Sequence, residues 1–215
     1  MAALESHHGN TVRHPREADK RLAELDLDTE MFAAAARRGE DAALTATRAH
    51  PRTAAGLNRW METVAAVRSV CQDNGRWRID DKDNRPRLIH KARAGVTLAF
   101  SLGDAGTGCA DAEPNVARRK GPATTATYAP AQLRIEFGDG PDHATPTDQH
   151  WLFLYHRAED EVRMEVSLPE AFSNGFVDGW RERIILDPLR IAGGEETPLD
   201  VGGTDVDFIV EPRNE

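Results

Sequence analysis

The chain has 215 residues, of which 40% are hydrophobic and 29% are charged, a composition typical of one large globular domain that folds without disulfides. Its net charge of −9 disfavours non-specific binding to nucleic acid or to an anionic membrane. No apolar run approaches the roughly 20 residues that a membrane helix requires, and none near the start has signal-peptide length, so we expect a cytoplasmic protein without a membrane partner.

The first third of the chain carries helical signals. Residues 1–15 are polar and aperiodic, and we interpret them as a flexible N-terminal arm. Short helices are expected over 16–25, from 28 or 29 to about Gly39, and over 41–49. The strongest helix starts near Thr53 and ends at Asn74-Gly75. Its apolar residues recur at every third or fourth position and predict one buried stripe lying across a sheet: Leu57, Trp60, Met61, Val64, Val67 and Cys71.

After Gly75 the apolar residues recur at every second position, which is typical of β-strands. This alternation predicts strands at 77–79, 96–100, 133–137 and 180–187. The change of period at Gly75 therefore divides the chain into a helical part and a β part.

The clearest hairpin joins residues 151–157 to residues 161–168. Its register places three apolar pairs on one face: Trp151 with Leu168, Phe153 with Val166, and Tyr155 with Met164. Because Leu152 and Leu154 make the other face of the first strand apolar as well, we expect that strand to be central and covered on both sides. The second strand is expected to turn three polar residues outward: Arg163, Glu165 and Ser167.

These elements predict an α+β fold in which N-terminal helices pack on a mostly antiparallel β-sheet of about six to eight strands. We place a single domain at residues 16–191, helical over 16–74 and mainly β over 76–191. One domain is favoured over two because the helices alone carry too little apolar surface. Residues 192–215 are interpreted as a linker followed by an edge strand near 205–211.

A glycine-rich segment followed by a basic segment indicates an anion-binding region. Glycines let backbone N–H groups approach a phosphate closely, and a threonine hydroxyl can also donate. The stretch from Arg76 to Lys120 is locally positive, with ten Lys or Arg against six Asp or Glu. The phosphate-loop pattern GxxxxGK[ST] is absent, so a merely solvated loop is the alternative. The residues predicted to bind the anion are Gly103, Asp104, Gly106, Thr107 and Gly108, then Arg118, Arg119, Lys120 and Thr124, with help from Arg76, Arg78 and Arg87.

No catalytic or metal-binding pattern is complete. Ser101 lies in AFSLG, one residue away from the GxSxG nucleophile pattern, but no helical period follows it. His150 and His156 would lie about 20 Å apart on one strand, too far to share an ion. Metal ligation by His143 and His150 stays an open alternative, although no Cys or His spacing supports it. A metal-dependent nuclease would use a lysine beside its carboxylates, and no lysine follows Lys120.

We therefore expect a non-enzymatic accessory or interaction protein that acts through its surface on a protein partner or on a second copy of itself. We expect it to need no cofactor, and its two distant cysteines, Cys71 and Cys109, to be reduced. The first alternative is a binder of a phosphate-bearing ligand, a nucleotide or a nucleic acid, through residues 103–108 and 118–120. The second alternative is a hydrolase or metal-dependent nuclease whose site the sequence does not reveal.

Overall fold

The structure, a computed structural model, describes residues 10–128 and 148–191. The predicted strands at 133–137 and 205–211 lie outside these residues, as does the candidate histidine His143. No helix in the described ranges is long and apolar enough to cross a bilayer.

The helices are α1 (Pro15–Ala23), α2 (Thr29–Ala43), α3 (Ala54–Asp73) and α4 (Pro122–Thr127), with a 3-10 turn at Lys82–Asn84. The strands are β1 (Thr11–Arg13), β2 (Trp77–Asp80), β3 (Arg87–His90), β4 (Val96–Leu102), β5 (Gln149–Arg157), β6 (Glu161–Ser173), β7 (Phe176–Ile185) and β8 (Leu189–Arg190).

The predicted change from helix to strand at Gly75 is confirmed. The caps of α3 are Thr53 and Asn74, and β2 begins at Trp77. Gly75 has a φ of 75°, a left-handed conformation that is strained for residues with a Cβ. Glycine at this position therefore lets the chain leave α3 and enter the sheet.

The predicted end of the second helix near Gly39 is wrong, because α2 continues to Ala43. Gly39 is buried inside α2, and a Cβ there would lie 2.8 Å from the backbone oxygen of Arg59 in α3. The glycine permits close approach of two helices instead of ending one. Residues 44–49 contain two turns and no helix, so the helix predicted over 41–49 is also wrong.

One sheet contains all eight described strands, and this confirms the predicted α+β fold. The order is β1-β7-β6-β5-β4-β3-β2, and β8 pairs with β6 next to the end of β7. Only the β1–β7 and β4–β5 pairs are parallel. The predicted hairpin register is confirmed where β5 pairs with β6, because Phe153 lies opposite Val166 and Tyr155 lies opposite Met164.

The edge strand β1 corrects the prediction of a flexible arm over residues 1–15 for residues 11–13, which belong to the sheet. Thr11–Arg13 pairs in parallel with Glu182–Ile184, and the Arg13 guanidinium lies 3.2 Å from the Glu182 carboxylate. Three residues are too few to show an alternating pattern, so this strand depends on its partner in the sheet and leaves no signal in the sequence.

The sheet is covered on both faces, as the two apolar faces of β5 predict. On one face Phe153 and Tyr155 pack beneath the helices, where the Phe32 ring centroid is 4.6 Å from that of Phe153. On the other face Leu152 and Leu154 belong to a second buried cluster. Its remaining members are Val116, Tyr128, Val177 and Trp180, so the cover comes from residues 103–128 and from the β6–β7 hairpin.

A buried histidine joins the helical layer to the sheet. The His90 side chain is 1% exposed, and its Nδ1 accepts the backbone N–H groups of Ala92 and Arg93. Its Nε2 is therefore the donor to the Asp26 carboxylate, at 2.7 Å. Asp26, in the turn between α1 and α2, also lies 3.1 Å from the Arg93 guanidinium. The His90 hydrogen bond holds the pKa of Asp26 below its ordinary value, helped by the charge of Arg93.

We expect Asp26→Asn to lower the free energy of unfolding by about 1 kcal/mol near pH 7. Asn tolerates the positive φ of 56° at this position, so the substitution tests the charge and not the backbone. A depressed native pKa stabilises the fold above the unfolded pKa of about 3.9, and that contribution is lost as pH falls through the native pKa. The difference between wild type and variant should therefore shrink between about pH 5 and pH 2, in chemical denaturation.

Asp41→Asn, at an exposed site in α2, is the matched control and should change the free energy of unfolding by less than about 0.5 kcal/mol. If the difference in free energy of unfolding between wild type and Asp26→Asn stays constant down to acid pH, the charge of the carboxylate does not contribute to stability.

Candidate functional site

The Gly103–Gly108 loop folds back onto the sheet. The N–H of Gly103 donates to the Tyr155 carbonyl at 2.9 Å, and the N–H of Gly108 donates to Glu165 Oε2 at 2.9 Å. Within the loop, the amides of Gly106 and Thr107 donate to Asp104. Thr107 is completely buried. The backbone N–H groups predicted to cradle a phosphate are therefore bonded inside the protein.

A buried ion pair holds this loop down. Arg183 Nη2 lies 2.6 Å from Glu165 Oε2, and the two side chains are 1% and 0% exposed. Arg183 also donates to the carbonyl oxygens of Cys109 and Ala112, while the Ser167 hydroxyl donates to Glu165 Oε1 at 2.7 Å. The sequence correctly placed Glu165 and Ser167 on the face of β6 opposite Val166, but the prediction that they face solvent is wrong because residues 103–112 cover them.

The basic segment Arg118–Lys120 follows directly after the loop closes. Gly103 bridges to Val116, and the N–H of Ala117 donates to the Leu102 carbonyl at 2.9 Å. The segment then packs on the turn of the β6–β7 hairpin, where the N–H of Lys120 donates to the Gly175 carbonyl at 2.7 Å. Arg118 and Arg119 are exposed, whereas Lys120 is half-buried.

The remaining predicted anion-binding residues lie elsewhere. Thr124 is half-buried in α4, and its amide donates to the Gly121 carbonyl. Arg87 is hydrogen-bonded to Asp80, and the Arg78 guanidinium lies 3.8 Å from the same carboxylate. Arg76 lies 3.8 Å from Asp26. These three arginines have carboxylate neighbours within the fold, so any anion at the surface would depend mainly on Arg118 and Arg119.

Among the residues that the structure describes, the candidate catalytic groups do not form a complete site. Ser101 is 3% exposed and donates to the Leu102 carbonyl, so its hydroxyl points away from solvent. The sequence did not predict that Thr97 Oγ1 lies 2.8 Å from His150 Nδ1. Asp148 lies 4.0 Å from His150 Nε2, too far to orient the imidazole by a hydrogen bond. In residues 10–128 and 148–191, no group of three or more His, Cys, Asp or Glu is placed to hold a metal ion.

An open groove runs beside α3. It has a volume of about 380 Å³ and lies between α3 and the 3-10 turn after β2. The Arg68 guanidinium, 2.6 Å from the Asp81 carboxylate, forms an ion pair at this groove. The lining residues are Trp60, Met61, Val64, Ala65, Arg68, Asp81, Asn84 and Pro86. We call this surface the α3 groove.

The groove corrects the prediction of a single buried stripe on α3. Val67 and Cys71 are fully buried against the sheet, as predicted. Leu57 and Met61 belong to the same stripe but are 42% and 43% exposed. The sequence cannot separate the two groups, since both recur at the helical period and differ only in what packs against them.

The two cysteines differ in environment, and this gives a prediction about their reactivity. Burial raises the pKa of Cys71 to about 12, because the thiolate would have no water around it. Cys109 is half-buried, and Arg163 Nη1 lies 2.7 Å from its sulfur. With a disulfide reagent near pH 8, we expect Cys109 of the native protein to react about a hundredfold or more faster than Cys71. The unfolded chain should react at both thiols.

Cys109→Ser should abolish the fast reaction, whereas Cys71→Ser should leave it intact. Equal rates for both thiols in the native protein would contradict the burial of α3 against the sheet.

No family model, no curated protein and no solved structure matches the chain. Any inference about function therefore depends on the fold and its surface. They define an α+β protein whose mixed sheet is covered on both faces and whose α3 groove exposes apolar side chains.

Proposed function

We propose that the protein is a non-enzymatic interaction protein that binds a segment of a partner polypeptide in the α3 groove. The observation that supports this most directly is the 43% exposure of Met61, which lines the groove. Leu57, one helical turn before it on the same face, is 42% exposed, whereas Val67 and Cys71 further along the helix are buried. Scattered exposed apolar residues are normal, but here Met61 lines a groove that Trp60 and Val64 also line.

The surroundings of the groove resemble the anatomy of protein interfaces. Trp60, Met61 and Val64 make its centre apolar, and one ion pair, Arg68 with Asp81 at 2.6 Å, belongs to its lining. An apolar centre with a polar rim gives affinity at the centre and orientation at the edge. Because Val64 is buried in the main core, α3 is a rigid support and a partner would not need to order it.

The occupant we favour is a helical or extended segment of a different protein that carries large apolar anchors. A second copy of this chain is less favourable, because the net charge of −9 opposes self-association. Each apolar side chain that becomes fully buried contributes roughly 1.5–3 kcal/mol. Because micromolar binding requires about 8 kcal/mol beyond the entropy cost of association, the partner segment must carry several apolar anchors.

We expect Leu57→Lys combined with Met61→Lys to weaken partner binding by about a hundredfold, because two charges would replace the apolar contacts. The matched control is Leu44→Lys, since Leu44 is 75% exposed and is the C-cap residue of α2, so it does not belong to the face of α3 that carries Leu57 and Met61. Partners are captured from a cell extract on immobilised wild type, identified by mass spectrometry, and their purified forms titrated against each variant.

Two outcomes would overturn the proposal. One is a partner that binds the double-lysine variant as tightly as it binds wild type. The other is dimerisation of the isolated chain at micromolar concentration that the double-lysine variant abolishes, because a second copy would then occupy the groove. Circular dichroism and melting temperature check that all variants remain folded.

A further inference from the structure

Strand β2 leaves one edge of the sheet open in the described part of the chain. Its pairing partner there is β3, and the N–H of Lys91 donates to the Arg76 carbonyl at 2.8 Å. In an antiparallel pair, residues that bond to the neighbouring strand alternate with residues that do not, so Trp77 and Ile79 turn their backbone N–H and C=O groups away from β3. The edge therefore offers donors and acceptors to a further strand.

The open edge of β2 leads into the α3 groove. Asp81, which lines the groove, directly follows β2, and its carboxylate forms the ion pair with Arg68 of α3. Ile79 packs against the main apolar cluster beneath the helices, whereas Arg78 lies on the opposite face because successive residues of a strand alternate. A strand added beside β2 would therefore turn every second side chain toward the helices and the groove.

The hairpin formed by β2 and β3 is basic. Residues 76–93 contain seven Lys or Arg against three Asp, a net charge of +4 in a chain whose total is −9. Two charges from the helical layer, Asp26 beside Arg76 and Arg68 beside Asp81, offset each other. The occupant that fits this edge is therefore an acidic segment with apolar residues at alternate positions.

The chain itself contains such a segment after Ile191. Residues 205–211, with the sequence DVDFIVE, carry three acidic residues and no basic one. Val206, Phe208 and Val210 recur at every second position, as one face of a strand requires. We call residues 205–211 the acidic segment.

The acidic segment is long enough in reach to lie in the groove. Ile191 packs against the main apolar cluster, beside the β5–β6 turn. Ion pairs from Arg157 to Glu40 and from Glu40 to Arg59 connect this end of the sheet to α3. The groove lies on the face of α3 opposite Arg59, about 10 Å away across the helix. The thirteen residues 192–204 span about 20 Å as a coil and about 43 Å when extended, which covers this path.

We propose that the acidic segment pairs antiparallel with β2 and inserts Phe208 into the α3 groove, where it competes with the partner segment. Because the chain arrives from the groove end of β2, Val210 lies opposite Ile79, and Glu211 lies opposite Arg78, whose side chain is 58% exposed. Strand addition of this kind combines backbone hydrogen bonds with pockets for alternate side chains. The competition rests on the proposed function, whereas the docking of the segment needs no partner.

Disulfide trapping in the full chain tests the docking. In a Cys109→Ser background, Met61→Cys with Phe208→Cys should form a disulfide within one chain at least about tenfold faster than Leu44→Cys with Phe208→Cys, because docking raises the effective concentration of the two thiols. Leu44 is a suitable control, since it is 75% exposed but caps α2. Non-reducing electrophoresis separates cross-links within a chain from those between chains, and mass spectrometry identifies the linked peptides.

A charge swap tests the register. Arg78→Glu should slow the cross-link about threefold, because it places a second negative charge opposite Glu211, and adding Glu211→Arg should restore the rate. Arg52→Glu, at an exposed site outside the β2–β3 hairpin, is the control and should leave the rate unchanged. In partner titrations Phe208→Asp should tighten binding about tenfold, as expected when a competitor that fills the groove about 90% of the time is removed.

The proposal is wrong if the Met61 and Leu44 pairs cross-link at equal rates, if the cross-links form only between chains, or if Arg78→Glu leaves the rate unchanged. Unchanged partner affinity after Phe208→Asp would contradict the competition. The expected cross-link in a protein whose groove binds no partner would support the docking and overturn the proposed function, so the two failures are distinguishable. The melting temperature of each variant confirms that it is folded.

Discussion

Arg183→Met should lower the free energy of unfolding by about 3–5 kcal/mol, because it leaves the Glu165 carboxylate buried without its counter-charge. Glu165 is 0% exposed and, within the described residues, would keep only the N–H of Gly108 and the hydroxyl of Ser167 as donors. The carbonyl oxygens of Cys109 and Ala112 would also lose the guanidinium that binds them. For a chain of this size the melting temperature should fall by about 10 °C.

A double-mutant cycle separates the ion pair from its surroundings. Replacing both partners, as Glu165→Met with Arg183→Met, should recover part of the loss, because no uncompensated charge remains. Arg190→Ala, which removes exposed ion pairs to Asp160 and Glu161, is the control and should cost less than about 1 kcal/mol. If Arg183→Met costs no more than that control, the buried pair does not hold the loop.

The same variant should expose the loop. Since Arg183 binds the Cys109 carbonyl, its removal should increase the rate at which Cys109 reacts with a disulfide reagent, while Cys71 stays protected. Equal acceleration of both thiols would indicate general destabilisation and not local loosening of residues 103–112.

Gly39→Ala should lower the free energy of unfolding by about 2 kcal/mol, although the same exchange in an exposed helix interior raises it by about 1 kcal/mol. The reason is the close approach of α2 and α3 at this position. A Cβ on residue 39 would lie 2.1 Å from Thr63 Oγ1 and 2.8 Å from the Arg59 carbonyl oxygen. The helices would have to separate, and guanidinium denaturation measures the cost.

Thr63→Ala provides the matched test. Thr63 Oγ1 is buried and makes no hydrogen bond in the described part of the chain, so its removal alone should cost little. In the Gly39→Ala background it should restore part of the stability, because the nearest clash is removed while that with the Arg59 carbonyl remains. A Gly39→Ala variant more stable than wild type would show that α2 and α3 separate freely.

The sequence by itself determined the features that depend on local period and local turn chemistry. The change of period at Gly75 located the end of α3 and the start of the sheet. Alternating apolar residues fixed the pairing of Phe153 with Val166, because a shift by one residue would move every side chain to the wrong face. The same pattern on both faces of β5 predicted its central place.

Only the tertiary structure decided which polar and apolar residues are covered. The position of Glu165 in the alternating pattern of β6 predicts an exposed side chain. It is buried instead, because residues 103–112, whose sequence shows no hydrophobic period, cover it. Leu57 and Val67 belong to the same apolar stripe of α3, but Val67 is buried against the sheet whereas Leu57 is exposed. The glycine-rich loop and the basic segment were predicted as one anion site, but the loop amides bond inward while Arg118 and Arg119 stay exposed. The period of apolar residues in the sequence shows which face of a helix or strand a residue occupies. Whether that face is buried depends on which distant parts of the chain pack against it.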